Sequence, residues 1–211
     1  MDLYTYYRST SSYRVRIALA LKGLDYQALP VNLIAPSGGE HRQAAYLAIN
    51  PQGQIPAMTE GDLVLTESLG IVLYLARAYG GALGPANDAE TALMEQWALF
   101  ASTAIEGPAL DIAMTITKGQ DKSPEGAALV AKAVEVLRRP LARLEAHLVG
   151  QEWLVGGRFT VADIMAEECT RYAQPHPTLL AEYPAISAWI ARCQARPAFQ
   201  KMWAGRLAEP A

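Results

Sequence analysis

The protein has 211 residues, enough for one large domain or for two smaller ones that each have a core. Apolar residues make up 51% of the chain and charged residues 18%, and the formal net charge is −3, which is typical of a globular protein and disfavours nucleic-acid binding. We see no secretory leader and no apolar run long enough to cross a bilayer, so we expect a cytoplasmic protein with no membrane partner. Two distant cysteines and three isolated histidines predict reduced thiols and no metal site.

The first 80 residues alternate between strand and helix patterns. Strands are predicted at residues 2–7, 26–33, 55–59 and 63–66, and helices at 12–22, 40–48 and 68–79, of which the middle helix is weak. Gly23 is expected to end the first helix, and a Pro/Gly-rich loop at residues 35–39 follows the second strand. The predicted order is βαβαββα, which defines an α/β domain at residues 1–80.

Strand patterns end at a linker, residues 81–87, and residues 88–211 show helix patterns only. Asp88 is predicted to cap the first of these helices, with one apolar face formed by Leu93, Trp97 and Phe100. The chain therefore combines an α/β domain with an all-helical domain.

Two more helix starts are well marked in the second domain. Ser123-Pro124 begins a helix with Pro140 inside it, where we expect a kink, and with leucines at helical spacing at positions 137, 141, 144 and 148. Thr160-Val161-Ala162-Asp163 has the spacing of a capping box, so we interpret Asp163 as structural and not catalytic.

Four consecutive hydroxyl residues, Ser9-Thr10-Ser11-Ser12, stand between the first strand and the first helix. The start of a helix carries partial positive charge and unpaired N–H groups, which favour an anion such as a thiolate. Taken alone, the run is explained more simply as a helix cap supplied by Ser11 or Ser12.

Two further features follow in chain order. Residues 50–56, Asn-Pro-Gln-Gly-Gln-Ile-Pro, lead into a strand, and a cis bond before Pro56 would turn the backbone of Ile55 towards a peptide-like ligand. An ordinary loop proline explains the same residues. At Thr66-Glu67-Ser68 the residues either cap a helix or bind a carboxylate and a neighbouring ammonium. A thiol, a peptide-like middle and a carboxylate beside an ammonium are together the groups of glutathione.

These residues resemble the glutathione transferase superfamily, and the first domain resembles its zeta class, the maleylacetoacetate isomerases. The zeta signature is a Ser-Ser-Cys run, an aromatic residue or His, and then Arg-Val-Arg-Ile-Ala-Leu. It stands here as residues 9–19, with Ser11 in place of the cysteine. The resemblance implies a thioredoxin-like first domain, a helical second domain that completes an electrophile pocket, and a homodimer.

The resemblance also implies roles for individual residues. Ser9 matches the catalytic serine, and Ser11 and Thr10 are the other candidates for contact with the sulfur. Glutathione, as the cosubstrate, would be held by Gln54, Ile55, Pro56, Glu67 and Ser68. Candidates for the electrophile pocket are Ile105, Pro108, Arg171 and Tyr172.

We expect the Ser9 hydroxyl to stabilise a thiolate that attacks a small electrophile. A first alternative is glutathione-dependent cis–trans isomerisation of maleylacetoacetate or maleylpyruvate; here Pro175 stands in place of a family arginine, for which Arg171 is the candidate substitute. A thiol–disulfide oxidoreductase would place a cysteine at the first helix start, where the sequence has none. The last alternative is a non-catalytic interaction protein with the same fold, which would not require the glutathione-binding residues Gln54, Ile55, Pro56, Glu67 and Ser68.

Overall fold

The computed structural model describes residues 1–35 and 38–208, so Pro36 and Ser37 of the predicted loop lie outside the described residues. The chain divides by its contacts into two compact units, Met1–Leu83 with Arg196–Ala211, and Gly84–Ala195. The sequence predicts a helical domain over 88–211. In the structure, the part of that range after Ala195 groups with the first unit instead.

The first unit contains a four-stranded sheet in the order β2-β1-β3-β4. Its strands are β1 Asp2–Thr5, β2 Gln27–Pro30, β3 Ala57–Glu60 and β4 Leu63–Leu65, and its helices are α1 Thr10–Lys22, α2 Ala44–Leu47, α3 Ser68–Ala78 and, after the second unit, α9 Pro197–Ala208. β1 is parallel to β2 and antiparallel to β3, and β3 is antiparallel to β4. This confirms the predicted order βαβαββα, with the weak predicted helix at 40–48 divided into a 3₁₀ turn, Glu40–Arg42, and α2.

Both faces of this sheet are covered. Leu3 and Met58 are paired across β1 and β3 and are fully buried. Their neighbours along the strands point to the opposite face, where Ala57 packs in a cluster with Val31 and Tyr46. Gly23 ends α1 in the left-handed conformation, with φ of 64°, as the sequence predicts.

The second unit is helical. Its helices are α4 Asp88–Phe100, α5 Gly107–Thr117, α6 Pro124–Leu148, α7 Val161–Thr170 and α8 Pro184–Gln194. Ser123 caps α6 by accepting a hydrogen bond from the Gly126 N–H, which confirms the predicted start. The four predicted leucines of α6 are buried, and the helix runs without a break past Pro140.

The predicted start of α4 is wrong by one residue. Asn87 is the cap, because its side-chain oxygen accepts from the Glu90 N–H at 2.9 Å, and Asp88 is the first helical residue. Asp and Asn are both favoured caps, so the residue type does not distinguish them. The predicted apolar face is also wrong at Leu93, which is 42% exposed, while Met94 is buried.

The start of α7 is a complete capping box, as predicted. Asp163 is fully buried, and its Oδ2 accepts from the Thr160 N–H at 2.9 Å while Thr160 caps the helix. Its Oδ1 accepts from the Leu154 N–H at 3.0 Å and from Trp189 Nε1 at 2.9 Å. Burial raises the pKa of Asp163, and these hydrogen bonds oppose the rise. One carboxylate therefore joins the start of α7 to a preceding loop and to α8.

A π-helical segment, Ala101–Glu106, joins α4 to α5 without a break. Pro108 has no N–H and its ring would clash with the carbonyl four residues earlier in a regular α-helix, so wider turns before it relieve that conflict. The whole run, Asp88–Thr117, is 30 residues long and apolar enough to cross a membrane, contrary to the sequence expectation that no run reaches this length. A core helix of a folded unit meets the same criterion, and Ile105 and Ile112 of this run are fully buried.

Candidate functional site

Three features that the sequence singles out meet at one edge of the sheet in the first unit. β1 ends at this edge and leads into the hydroxyl residues. β3 is antiparallel to β1, with Tyr4 opposite Ala57, so Pro56 lies directly before β3 at the same edge. β4 is antiparallel to β3 and leads past Leu65 to Glu67 at this edge. The antiparallel register therefore brings residues separated by more than 50 positions to one place.

Ser9 is the residue that caps α1, so the assignment of the cap to Ser11 or Ser12 is wrong. Its Oγ accepts a hydrogen bond from the Ser12 N–H at 3.1 Å. Ser12 is fully buried, and its own Oγ accepts from the Tyr6 N–H at 3.3 Å. Because Ser9 Oγ is the acceptor in the cap, its O–H hydrogen can be donated to a second partner.

The other hydroxyls of the run differ in exposure. Thr10 is buried, whereas Ser9 and Ser11 are half-buried. The Ser11 hydroxyl makes no hydrogen bond to another residue in the described part of the chain. The guanidinium of Arg8 lies 5.3 Å from the ring centroid of Tyr7, which places a positive charge immediately before Ser9. A ligand at this edge can therefore reach two hydroxyls and a positive helix start.

The loop before β3 is fixed through the carbonyl of Gln54. Tyr46 donates its hydroxyl to this oxygen at 2.6 Å, and the side-chain amide of Asn50, a buried residue, donates to it at 2.7 Å. Burial raises the pKa of Tyr46 to about 12, so its hydroxyl remains a donor at neutral pH. Sequence reasoning missed Tyr46, whose only signal is an aromatic residue in a weak helix pattern.

The same loop presents Gln54 and Ile55 at the edge. The Gln54 side chain is exposed and Ile55 is half-buried, while Pro56 is buried. The Ile55–Pro56 peptide bond is cis. Gly53 has φ of 61°, and a Cβ there would lie 3.0 Å from the His41 carbonyl oxygen, so this turn requires glycine.

The start of α3 is not capped by a side chain. Glu67 is at the cap position, but its side chain is exposed and makes no capping hydrogen bond. The Ser68 Oγ accepts from Arg14 Nη1 at 3.2 Å, a contact that sequence reasoning also missed. Arg14 belongs to the Arg-Val-Arg-Ile-Ala-Leu stretch and is 1% exposed, although arginine is usually an exposed residue.

The four candidates for the electrophile pocket lie in the second unit. Ile105 has no exposed surface, whereas Pro108, Arg171 and Tyr172 are half-buried. Arg171 forms an ion pair with Glu168 at 3.1 Å. Burial acts to lower the pKa of Arg171, but the neighbouring charge of Glu168 outweighs burial and raises that pKa. The positive charge of Arg171 is thus already balanced within this unit.

The comparisons with known proteins agree with this geometry. The sequence profile of the glutathione S-transferase N-terminal domain matches residues 3–83, and that of the glutathione S-transferase C-terminal domain matches residues 105–197. Glutathione S-transferase 3 of Zea mays is 37% identical over 209 residues, which cover 95% of this chain and 92% of that protein. The chain therefore belongs to the glutathione S-transferase family, and it is an enzyme of that family.

Two further comparisons concern the class and the fold. A maleylacetoacetate isomerase of Pseudomonas aeruginosa is 69% identical over 81 residues, but these cover only 37% of this chain and 37% of that protein. The crystal structure of glutathione transferase F7 from Populus trichocarpa has a TM-score of 0.84 at 31% identity, and the match covers 97% of this chain and 98% of that one. The family fold is thus confirmed over 97% of the chain, whereas the match to the isomerase covers little more than a third of it.

Proposed function

We propose that this chain activates the thiol of glutathione as a thiolate through Ser9 and transfers it to a small electrophile. The observation that carries the proposal is the cap geometry of Ser9. Its oxygen is held by the Ser12 N–H, and its hydroxyl hydrogen is available at the start of α1. A hydroxyl hydrogen and a helix start both stabilise an anion placed beside them.

The stabilisation that is required is modest. A free thiol with a pKa of about 8.5 is roughly 3% ionised at pH 7. Lowering that pKa by about 2 units requires about 2.7 kcal/mol of preferential stabilisation of the thiolate. One charge-assisted hydrogen bond and the dipole of α1 supply free energies of this order.

The length of the site suits an extended tripeptide. Adjacent strands lie about 4.8 Å apart, so β1 and β4, with β3 between them, are separated by about 10 Å. Three extended residues span about the same distance. We propose that the sulfur binds near Ser9, the backbone of Ile55 pairs with the middle of the ligand, and Glu67 and Ser68 bind the ammonium and carboxylate of the γ-glutamyl end.

The test is replacement of Ser9 by Ala, with conjugation to an activated aryl halide measured from pH 5.5 to 9. We expect the pKa of the bound thiol to rise by about 1–2 units and the turnover at pH 6.5 to fall about tenfold or more. Ser11→Ala is the matched control, since it removes a hydroxyl two residues away, and it should change both quantities less than twofold. If Ser11→Ala produces the shift and Ser9→Ala does not, the thiol contact belongs to Ser11.

A second candidate function is the cis–trans isomerisation of a maleylacetoacetate-type substrate. This function is favoured by the match of 81 residues of this chain, at 69% identity, to a maleylacetoacetate isomerase. The ion pair of Arg171 with Glu168 weighs against it, because a dicarboxylate substrate requires an uncompensated cation. Assays with maleylacetoacetate and with an aryl halide on the same preparation separate the two functions, and Ser11→Cys should raise only the isomerase rate if that function is correct.

The homodimer and the cytoplasmic location stay predictions. Light scattering coupled to size-exclusion chromatography tests the first, with a molar mass of twice 22.8 kDa expected. A mass equal to that of one chain at micromolar concentration would contradict it.

A further inference from the structure

A buried guanidinium connects the two helices whose starts form the ends of the proposed site. Arg14 lies in the second turn of α1 and donates from Nη1 to the Oγ of Ser68, the first residue of α3, at 3.2 Å. Arg14 is 1% exposed and Ser68 is 8% exposed. Burying a charged group costs free energy unless its surroundings compensate the lost hydration. Packing alone therefore does not account for an arginine at position 14.

The hydrogen bond determines how Ser68 can act. A serine hydroxyl has one hydrogen to donate and two lone pairs that accept. Because Arg14 has only donors, Ser68 Oγ must be the acceptor in this contact, and its own hydrogen must point elsewhere. The first turn of α3 has no side-chain cap, so the open direction is the one from which an anion approaches the helix start.

The charge of Arg14 also favours an anion at the start of α3. A guanidinium remains protonated at all accessible pH values, and in a buried environment its field is screened less than at the surface. It lies behind the Ser68 hydroxyl, where it polarises that group and adds to the positive end of the α3 dipole. A carboxylate that accepts from Ser68 thus gains from a charge that it does not touch.

We propose that Arg14 is a positioning residue for the γ-glutamyl carboxylate of glutathione: through Ser68 it sets the hydroxyl donor and the charge at the α3 start, and it ties α3 to the helix that carries Ser9. This inference rests on the proposed function, because it assumes that glutathione lies along this edge. It does not place Arg14 in contact with the ligand.

The test compares glutathione with cysteinylglycine, a thiol that lacks the γ-glutamyl group, as substrates in aryl halide conjugation by the intact chain. Arg14→Met should lower kcat/KM for glutathione about tenfold, mainly through KM, and change kcat/KM for cysteinylglycine less than twofold. The pKa of the bound glutathione thiol should remain that of the wild type. The matched control is Arg16→Met, which removes an arginine from the same helix and should leave the ratio of the two substrates unchanged.

A double-mutant cycle measures the coupling between Arg14 and Ser68 in glutathione use, which separates this role from a general loss of structure. If Arg14 acts through Ser68, the variant with both Arg14→Met and Ser68→Ala should lose less with glutathione than the sum of the losses of the two single variants. Equal losses for both thiols, or additive losses in the cycle, would overturn the inference. Should Arg14→Met not fold, Arg14→Gln tests the role of the charge, because it removes the positive charge and keeps a side-chain N–H that can donate to Ser68 Oγ. Failure of the wild type to use glutathione would instead overturn the proposed function.

Discussion

The starts of α3 and α7 use the same chemistry, a hydroxyl residue and an acid, with opposite results. At α7, Asp163 is fully buried and accepts from the Thr160 N–H, the Leu154 N–H and Trp189 Nε1. At α3, the Glu67 side chain is exposed and makes no capping hydrogen bond. The start of α7 is satisfied by groups of the protein, whereas the start of α3, which we propose as a ligand site, has no side-chain cap.

The difference lies in the partners and not in the residue types. Each helix start has unpaired N–H groups and a partial positive charge from the helix dipole, and both favour an anion. At α7 that demand is met by an internal carboxylate, so the segment stabilises the fold. At α3 it is unmet, and the hydroxyl is backed by Arg14. Variants at each start test this difference.

The largest effect is expected for Asp163→Ala. The substitution leaves three buried donors, those of Thr160, Leu154 and Trp189, without their acceptor. We expect the free energy of unfolding to fall by about 3–5 kcal/mol, because each unsatisfied buried donor costs about 1–3 kcal/mol and the losses overlap. Urea unfolding at pH 7 measures it.

Asp163→Asn is the matched variant for that experiment. It keeps one side-chain oxygen as an acceptor, so its loss of stability should be clearly smaller than that of Asp163→Ala. A loss below about 1 kcal/mol for Asp163→Ala would contradict the assignment of the α7 start as the saturated one.

An intermediate effect is expected for Glu67→Ala at the open start. Loss of the carboxylate that is proposed to bind the ligand ammonium should weaken glutathione binding about tenfold, as a charge-assisted contact does. Stability should change by less than about 0.5 kcal/mol, because the side chain is exposed and caps nothing. Calorimetric titration gives the Kd, and urea unfolding gives the stability. A loss of stability with an unchanged Kd would reverse the comparison between the two helix starts.

The smallest effect concerns an acid one turn after Asp163. Glu167 is fully buried, accepts from Gln194 of α8 at 2.9 Å, and lies beside Glu168 and Arg171. Burial, and then the charge of Glu168, raise the pKa of Glu167 well above its ordinary value. The folded chain therefore keeps a proton that the unfolded chain releases above about pH 4.5, and its stability falls as the pH rises through this window.

Glu167→Gln should remove that titration and flatten the fall in Tm between pH 5 and pH 8. Thermal unfolding at three pH values in this range measures the slope. Glu152→Gln, at an exposed glutamate of the same unit, is the control and should retain the wild-type slope. An unchanged slope in Glu167→Gln would mean that Glu167 is ionised in the folded chain.

Much of this arrangement can be predicted from the sequence, because it depends on local patterns. Hydrophobic spacing predicts the order of strands and helices, and Ser123-Pro124 and Thr160 to Asp163 mark helix starts through short-range hydrogen bonds. The contacts between distant residues could not be predicted in this way. Nothing local in the sequence shows that Tyr46 holds the Gln54 carbonyl or that Arg14 is buried against Ser68, since both depend on the packing of whole elements.

The roles within the hydroxyl run show the same limit on a smaller scale. Ser9, Ser11 and Ser12 are all acceptable caps by residue type, and the sequence favoured Ser11 or Ser12. The structure selects Ser9, because the backbone leaves the helix there with an extended conformation and the Ser12 side chain is occupied by the Tyr6 N–H. A capping residue is fixed by where the backbone turns, and one residue of shift changes which hydroxyl faces outward.

The position of α9 has a consequence for synthesis on the ribosome. The Trp203 ring of α9 packs edge-on against Tyr13 of α1, with centroids 6.0 Å apart, although α9 follows the helical unit in the chain. Residues 84–195 form a contiguous unit, all of which has been made once Ala195 is added, whereas the first unit lacks its last helix until residue 208 has been made. A nascent chain that stops before Pro197 therefore contains every residue of the second unit but lacks α9 of the first, and with it the contact of Trp203 with Tyr13.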